Sequence, residues 1–179
     1  MSNALVSNES HADRIHRLLA RIGDKMRVTP PVFGGVPRVP PLDYSCWSHR
    51  IYVEKAFAGG LTDDELALLL AHEVGHSTRR RAIILSKLLA LVSLSVLLTL
   101  WNGWVNFGLP VNAVLLLTSA VCLFLQLVRS PLREEFIADD FAVSFAGSAA
   151  PYRDLIYGML AQLDLKPNRS MRKRLHRLG

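Results

Sequence analysis

The sequence predicts a mainly helical domain with one or a few short strands, into which a hairpin of two long apolar helices is inserted. Three observations carry that expectation: a capped helical stretch at Leu61–Thr78 holding two histidines, two apolar runs of twenty residues at 82–101 and 109–128, and a second polar helical stretch directly after them. A chain of 179 residues is long enough for one domain, residues 1–179, with a core of its own, and its 50% hydrophobic content leans toward a membrane protein. The net charge of +6 raises the question of nucleic acid. The basic residues, however, gather beside the apolar runs and in the tail, where anionic lipid is the expected partner and nucleic acid is not. Cys46 and Cys122 fall in a loop and in an apolar run, which is neither a disulfide framework nor a thiolate cluster. The opening MSNALVSNESHADR lacks the basic-then-apolar pattern of a cleaved secretory leader, so insertion is expected to depend on the later runs.

In chain order, Ile15, Leu18, Leu19, Ile22 and Met26 recur at helical spacing with Arg14, Arg17, Arg21 and Lys25 between them. That is an amphipathic helix from about Ser10 to Met26, expected to pack on the histidine-bearing helix, with His11 and His16 at its surface. The stretch TPPVFGGVPRVPPL holds five prolines and two glycines and reads as an extended connector without regular structure. In HRIYVE, His49–Glu54, Ile51 and Val53 alternate with Tyr52 and Glu54 as in a half-buried strand, whose edge could hold an extended substrate.

At Leu61–Thr78, Thr62 and Glu65 form a capping box, and Asp63 and Asp64 place negative charge on the positive end of the helix dipole. Leu66, Leu69, Leu70 and Val74 make an apolar stripe, and Ala67, Ala71 and Gly75 a stripe of small residues that admits another backbone. His72 and His76, four apart, share one face and can reach a single ion, with Glu73 beside them. A catalytic zinc takes three protein ligands and leaves one place for water, whose proton a neighbouring carboxylate accepts; Glu73 is the expected base.

Arg79, Arg80 and Arg81 precede the run Ala82–Trp101, whose one charge, Lys87, is near its start. At about 1.5 Å per residue twenty residues reach roughly 30 Å, enough to cross a bilayer. The linker NGWVNFG and an uncharged second run, Leu109–Val128, complete the hairpin. The Lys and Arg outside the first run lie on the side of the histidines, and Trp101, Trp104 and Phe107 suit the opposite interface, so the positive-inside rule puts the histidines on the cytoplasmic side.

The arginines after Thr78 rule out a third histidine in close sequence, so a carboxylate from elsewhere is needed. In SPLREEFIADDFAVSFAG, Glu135 and Asp139 share a helical face lined with Ala138, Ala142 and Ala146; Glu134 and Asp140 are their neighbours. With H-E-x-x-H at His72, Glu73 and His76, and E-[FY]-x-A-D at Glu135, Phe136, Ala138 and Asp139, the sequence resembles the HtpX-like and CAAX prenyl protease family of membrane zinc peptidases, peptidase family M48. The resemblance, running from about Arg38 to Phe145, implies a zincin-like metallopeptidase domain with one zinc per chain. It makes Glu135 the third ligand beside His72 and His76, Glu73 the catalytic base, and Asp139 the group that orients a ligand histidine through its outer N–H. Arg174, Leu175 and Leu178 match the family's closing R-[IL]-x-x-L, but the His-Pro pair that precedes it there is absent.

Pro151–Leu165 reads as a helix with Leu155, Ile156, Met159, Leu160 and Leu163 inward, and the six basic residues from Lys166 to Arg177 as a solvated or lipid-binding tail. The resulting expectation is a multi-pass protein of the inner membrane that hydrolyses peptide bonds of protein or peptide substrates, membrane proteins among them. The alternative is a membrane scaffold that keeps the zinc fold without proteolysis. An intramembrane protease of the site-2 type is disfavoured because Arg79–Arg81 end the histidine helix before the apolar runs begin. An oxyanion donor is also expected, with an arginine or His49 as the options.

Overall fold

The computed structural model describes residues 9–36, 41–102, 108–128, 131–162 and 164–179. It is mainly helical with one small sheet. In order the elements are α1 (His11–Met26), β1 (Val32–Gly35), β2 (Leu42–Ser45), β3 (Arg50–Val53), α2 (Lys55–Gly59), α3 (Asp63–Thr78), α4 (Arg80–Trp101), α5 (Leu109–Val128), α6 (Pro131–Ala146), α7 (Ala149–Gln162) and α8 (Arg169–Leu178). The chain divides into two compact units: one holds the residues up to Thr78 and from Glu135 onward, the other Arg79–Glu134.

In the first unit α1 packs on α3, as its apolar stripe requires. Ile15, Leu18 and Ile22 are fully buried in one cluster with Leu66, Leu70 and Val74 of α3 and with Ile51 and Val53 of β3. The polar side of the same contact is a clamp. The Arg14 guanidinium donates to Asp63 Oδ1 at 2.7 Å and to the carbonyl oxygens of Ala58 and Leu61 at 2.8 Å each, fixing the turn that starts α3. The capping box forms as expected: Thr62 N–H donates to Glu65 Oε2 at 2.8 Å and Glu65 N–H to Thr62 Oγ1 at 3.3 Å.

Two expectations about the strands need correction. The proline-rich stretch is not wholly irregular, because β1 forms inside it. Pro30 and Pro31 precede the strand, and a bulge follows Phe33, with Gly35 at φ 107°, where the chain turns out of the ladder. Gly34 is needed for close packing, since a Cβ there would stand 2.7 Å from the Tyr52 ring. The strand expected at His49–Glu54 is β3, with Ile51 and Val53 buried, but it is central rather than an edge. It pairs parallel with β1 and antiparallel with β2, so both its edges are filled and neither can hold a substrate.

In the second unit α4 and α5 pack on each other. Its burial pattern is inverted relative to a water-soluble pair. Ser93 and Ser119 are buried, whereas Leu85, Leu91, Val92, Leu98, Val114, Leu117 and Phe124 are exposed. Among the described residues one helix, α4, is long and apolar enough to cross a membrane, with mean hydropathy 2.4; the apolar part of α5 found by the same measure, Pro110–Phe124, is shorter. Trp101 is exposed. Trp104 and Phe107, expected at an interface, lie outside the described residues, as does Leu163.

Candidate metal centre

The site is assembled from α3, α6, α7 and α8. Along α3 the helical repeat sets His72 and His76 on one face, their rings 4.8 Å apart and nearly perpendicular. The intervening Gly75 lets α6 approach. A Cβ at that position would lie 2.8 Å from Ala138 Cα and 2.9 Å from Phe141 Cβ, so any other residue would push the helices apart. Ala138 and Ala142, fully buried, keep the α6 side equally thin. At that separation Glu135 reaches both rings: its carboxylate oxygens lie 3.5 Å from His72 Nε2 and 3.6 Å from His76 Nε2.

Asp139, one turn after Glu135 and only 2% exposed, faces the other nitrogen of His72, with Oδ1 3.1 Å from Nδ1. Tyr152 of α7 completes this side. Its hydroxyl donates to Asp139 Oδ1 at 2.9 Å and lies 2.9 Å from His72 Nδ1. A hydroxyl that gives its proton to Asp139 can only accept from Nδ1. The Nδ1 atom therefore carries a hydrogen, and the lone pair of neutral His72 sits on Nε2, toward His76 and Glu135. From α8, Arg174 ties the two carboxylates together. It donates to Asp139 through Nε at 2.8 Å and Nη2 at 2.6 Å, and its Nη1 lies 2.6 Å from Glu135 Oε2.

The electrostatics follow from this packing. For His72 burial opposes the charged form, but the bonds to Asp139 and Glu135 prevail and lift the imidazole to about 9. In His76 burial and the neighbouring His72 charge act together and bring it down to about 4. Burial raises Glu73 to about 7, helped by the nearby charges of Glu135 and Asp43 and opposed by that of His72. Asp139 is drawn down to about 2 despite its burial, because His72 and Arg174 both bond its ionised form. Glu135 is also held below the ordinary carboxylate range, the bond to His72 and the charge of Arg174 outweighing burial.

This donor set fits a metal ion. One nitrogen from each of His72 and His76 and one oxygen of Glu135 lie within 4.8 Å of one another. Four ligands about 2.0 to 2.2 Å from a tetrahedral zinc stand roughly 3.3 to 3.6 Å apart, the range of the 3.5 and 3.6 Å that separate Glu135 from the two rings.

The model of peptidase family M48 matches residues 44–166, two thirds of the chain, and spans β2 to α7 with every donor described above except Arg174. The chain belongs to peptidase family M48. Neither the curated proteins nor the solved structures yield a match. Membership in M48 makes the chain a metallopeptidase by family and the His72, His76 and Glu135 cluster its candidate metal site. The structure brings together all five residues singled out in the sequence: His72, Glu73 and His76 on α3, Glu135 and Asp139 on α6. Glu134, the alternative to Glu135, points elsewhere and pairs with Arg79 at 3.2 Å. Asp140 pairs with Arg177 at 2.6 Å. His49 occupies the turn between β2 and β3 at φ 55°, its Nδ1 3.1 Å from the Tyr44 hydroxyl.

Two contributors lay beyond sequence reasoning. Tyr152 stands one residue into the expected α7 helix and carries no motif. Arg174 was visible only as a match to a closing pattern, with nothing to show that it spans Glu135 and Asp139.

Proposed function

We propose that the chain is a zinc-dependent, membrane-bound endopeptidase of zincin-like fold, one domain interrupted by a two-helix transmembrane hairpin, with its active site on the cytoplasmic side of the inner membrane. The observation that carries this reading is the convergence of His72, His76 and Glu135 from two helices with Glu73 beside them. One zinc per chain would be held by His72, His76 and Glu135. When bound it supplies Lewis acidity, polarising a scissile carbonyl and bringing the pKa of a water near about 7. Glu73 accepts the proton of the attacking water and returns it to the leaving amine, a transfer for which a carboxylate poised near neutrality is suited. Asp139 and Tyr152 fix the His72 ring so that Nε2 is the free donor. Arg174 holds Glu135 and Asp139 in place.

The membrane reading draws on the exposed leucines and valines of α4 and α5 around buried serines, a pattern suited to lipid. A site-2-type arrangement fits poorly, since α3 ends at Thr78 and α4 starts anew at Arg80, with Arg79 out of helical geometry at φ −106° and ψ 13°. Protein or peptide substrates, membrane proteins among them, would reach Glu73 from the cytoplasmic side.

Two outcomes test this reading. Purified chain should cleave an unstructured, membrane-tethered substrate, lose that activity to a strong chelator and regain it with zinc; cleavage that persists once the metal is stripped would contradict the metallopeptidase assignment. Reporter fusions at position 105 and at the C-terminus should report opposite sides of the membrane, because the positive charges flank only one side of the hairpin. Equal locations would remove the hairpin.

A further inference from the structure

α8 has a charge distribution that its role at the metal centre does not use. Its inner face is accounted for: Leu175 and Leu178 are buried, Met171 packs on the core, and Arg174 reaches Glu135 and Asp139. Arg177 pairs with Asp140 and lies over the Phe136 ring, its Cζ 4.8 Å from the ring centre. What remains is an outward face of Arg169, Arg172, Lys173 and His176, all exposed, lining an open recess against Phe136. Among the described residues neither Arg169, Arg172 nor Lys173 has an ion pair, although the chain elsewhere pairs Arg14, Arg17, Arg21, Arg79 and Arg153 with carboxylates.

The place of this face along the chain says what its partner is. Phe136, which lines the recess, comes eight residues after Val128, the end of apolar helix α5. Such a stretch spans at most about 28 Å even when fully extended. A basic helix face on a domain tethered to a membrane-embedded helix by so short a stretch can reach the headgroup layer, where several basic side chains together attract anionic lipid. We propose that the outward face of α8 docks on an anionic phospholipid surface and holds the α8 end of the domain against the membrane. The inference rests on the membrane reading of α4 and α5.

The full chain in lipid nanodiscs tests it, with neutral amine acetylation of Lys173 followed by mass spectrometry and exposed Lys55 as the internal reference. At low salt Lys173 should react about threefold or more slowly in discs containing phosphatidylglycerol than in phosphatidylcholine discs, while Lys55 is unchanged. About 1 M salt, where the screening length is about 3 Å, should abolish the difference. The double variant Arg169→Gln/Arg172→Gln, which keeps Lys173 as reporter, should lose most of the protection. Equal Lys173 rates in the two discs would overturn the proposal, as would equal protection by inorganic phosphate in neutral discs, which would make the recess a soluble-anion site. A chain that fails to incorporate into neutral discs refutes the membrane reading and this inference with it, whereas incorporation without protection refutes the inference alone.

Discussion

Glu73→Gln should leave the chain folded and fully loaded with zinc while reducing peptide cleavage by about 10² to 10⁴, the usual contribution of a positioned general base. The structure gives reasons for both halves of that result. Among the described residues Glu73 has neither an ion pair nor a hydrogen-bond partner, so an amide of the same shape leaves no group stranded. The candidate metal cluster of His72, His76 and Glu135 does not include it. What the amide lacks is a basic oxygen able to take a proton from water. Metal content by mass spectrometry and cleavage of a tethered unstructured substrate should therefore separate in this variant. A scaffold that keeps the fold without hydrolysis predicts instead no chelator-sensitive cleavage by the unsubstituted chain, and no cellular difference between it and Glu73→Gln. Unchanged cleavage in the variant would take Glu73 out of the mechanism.

The residues that were legible in the sequence are those whose function follows from local spacing. The capping box at Thr62 and Glu65, the shared face of His72 and His76, and the small residues that let α3 and α6 meet at Gly75 are all properties of one helix at a time, and each took the expected form. Glu135 was reachable across 59 positions only through the resemblance, since a helical repeat fixes which residues share a face but not which helix lies opposite. The contacts that escaped are long-range and chemically unspecific in sequence. Tyr152 is an ordinary aromatic until it is seen between His72 and Asp139, 80 and 13 residues away. Arg174 belongs to a run of basic residues, and although a closing pattern singles it out, only packing shows that it, and not Arg172 or Lys173, reaches the two carboxylates. The strands failed for a different reason: proline and glycine content describes a segment's own preferences, whereas β1 exists because β3 offers it an edge and Tyr52 a surface to cover Gly34. The position of β3 in the sheet was likewise set by partners that its own alternation could not name.

Removing Glu135, the proposed carboxylate ligand, should have the second large effect, and the two adjacent glutamates make it a controlled experiment. Glu135→Ala is expected to weaken zinc binding tenfold or more, since substitutions even one step removed from a metal typically cost about 10- to 100-fold. Glu134→Ala should retain the metal, because Glu134 pairs with Arg79, a partly exposed contact of the kind worth about 0 to 1 kcal/mol. The fold should survive Glu135→Ala. Arg174 still donates through Nε and Nη2 to Asp139, so its charge keeps a partner, and Asp139 still bonds Tyr152 and His72. A loss of metal can then be read apart from unfolding, by zinc content after dialysis against chelators of graded strength together with the thermal midpoint of the metal-free protein. Comparable zinc content in the two variants would show that Glu135 is not a ligand, and the two histidines would need another carboxylate.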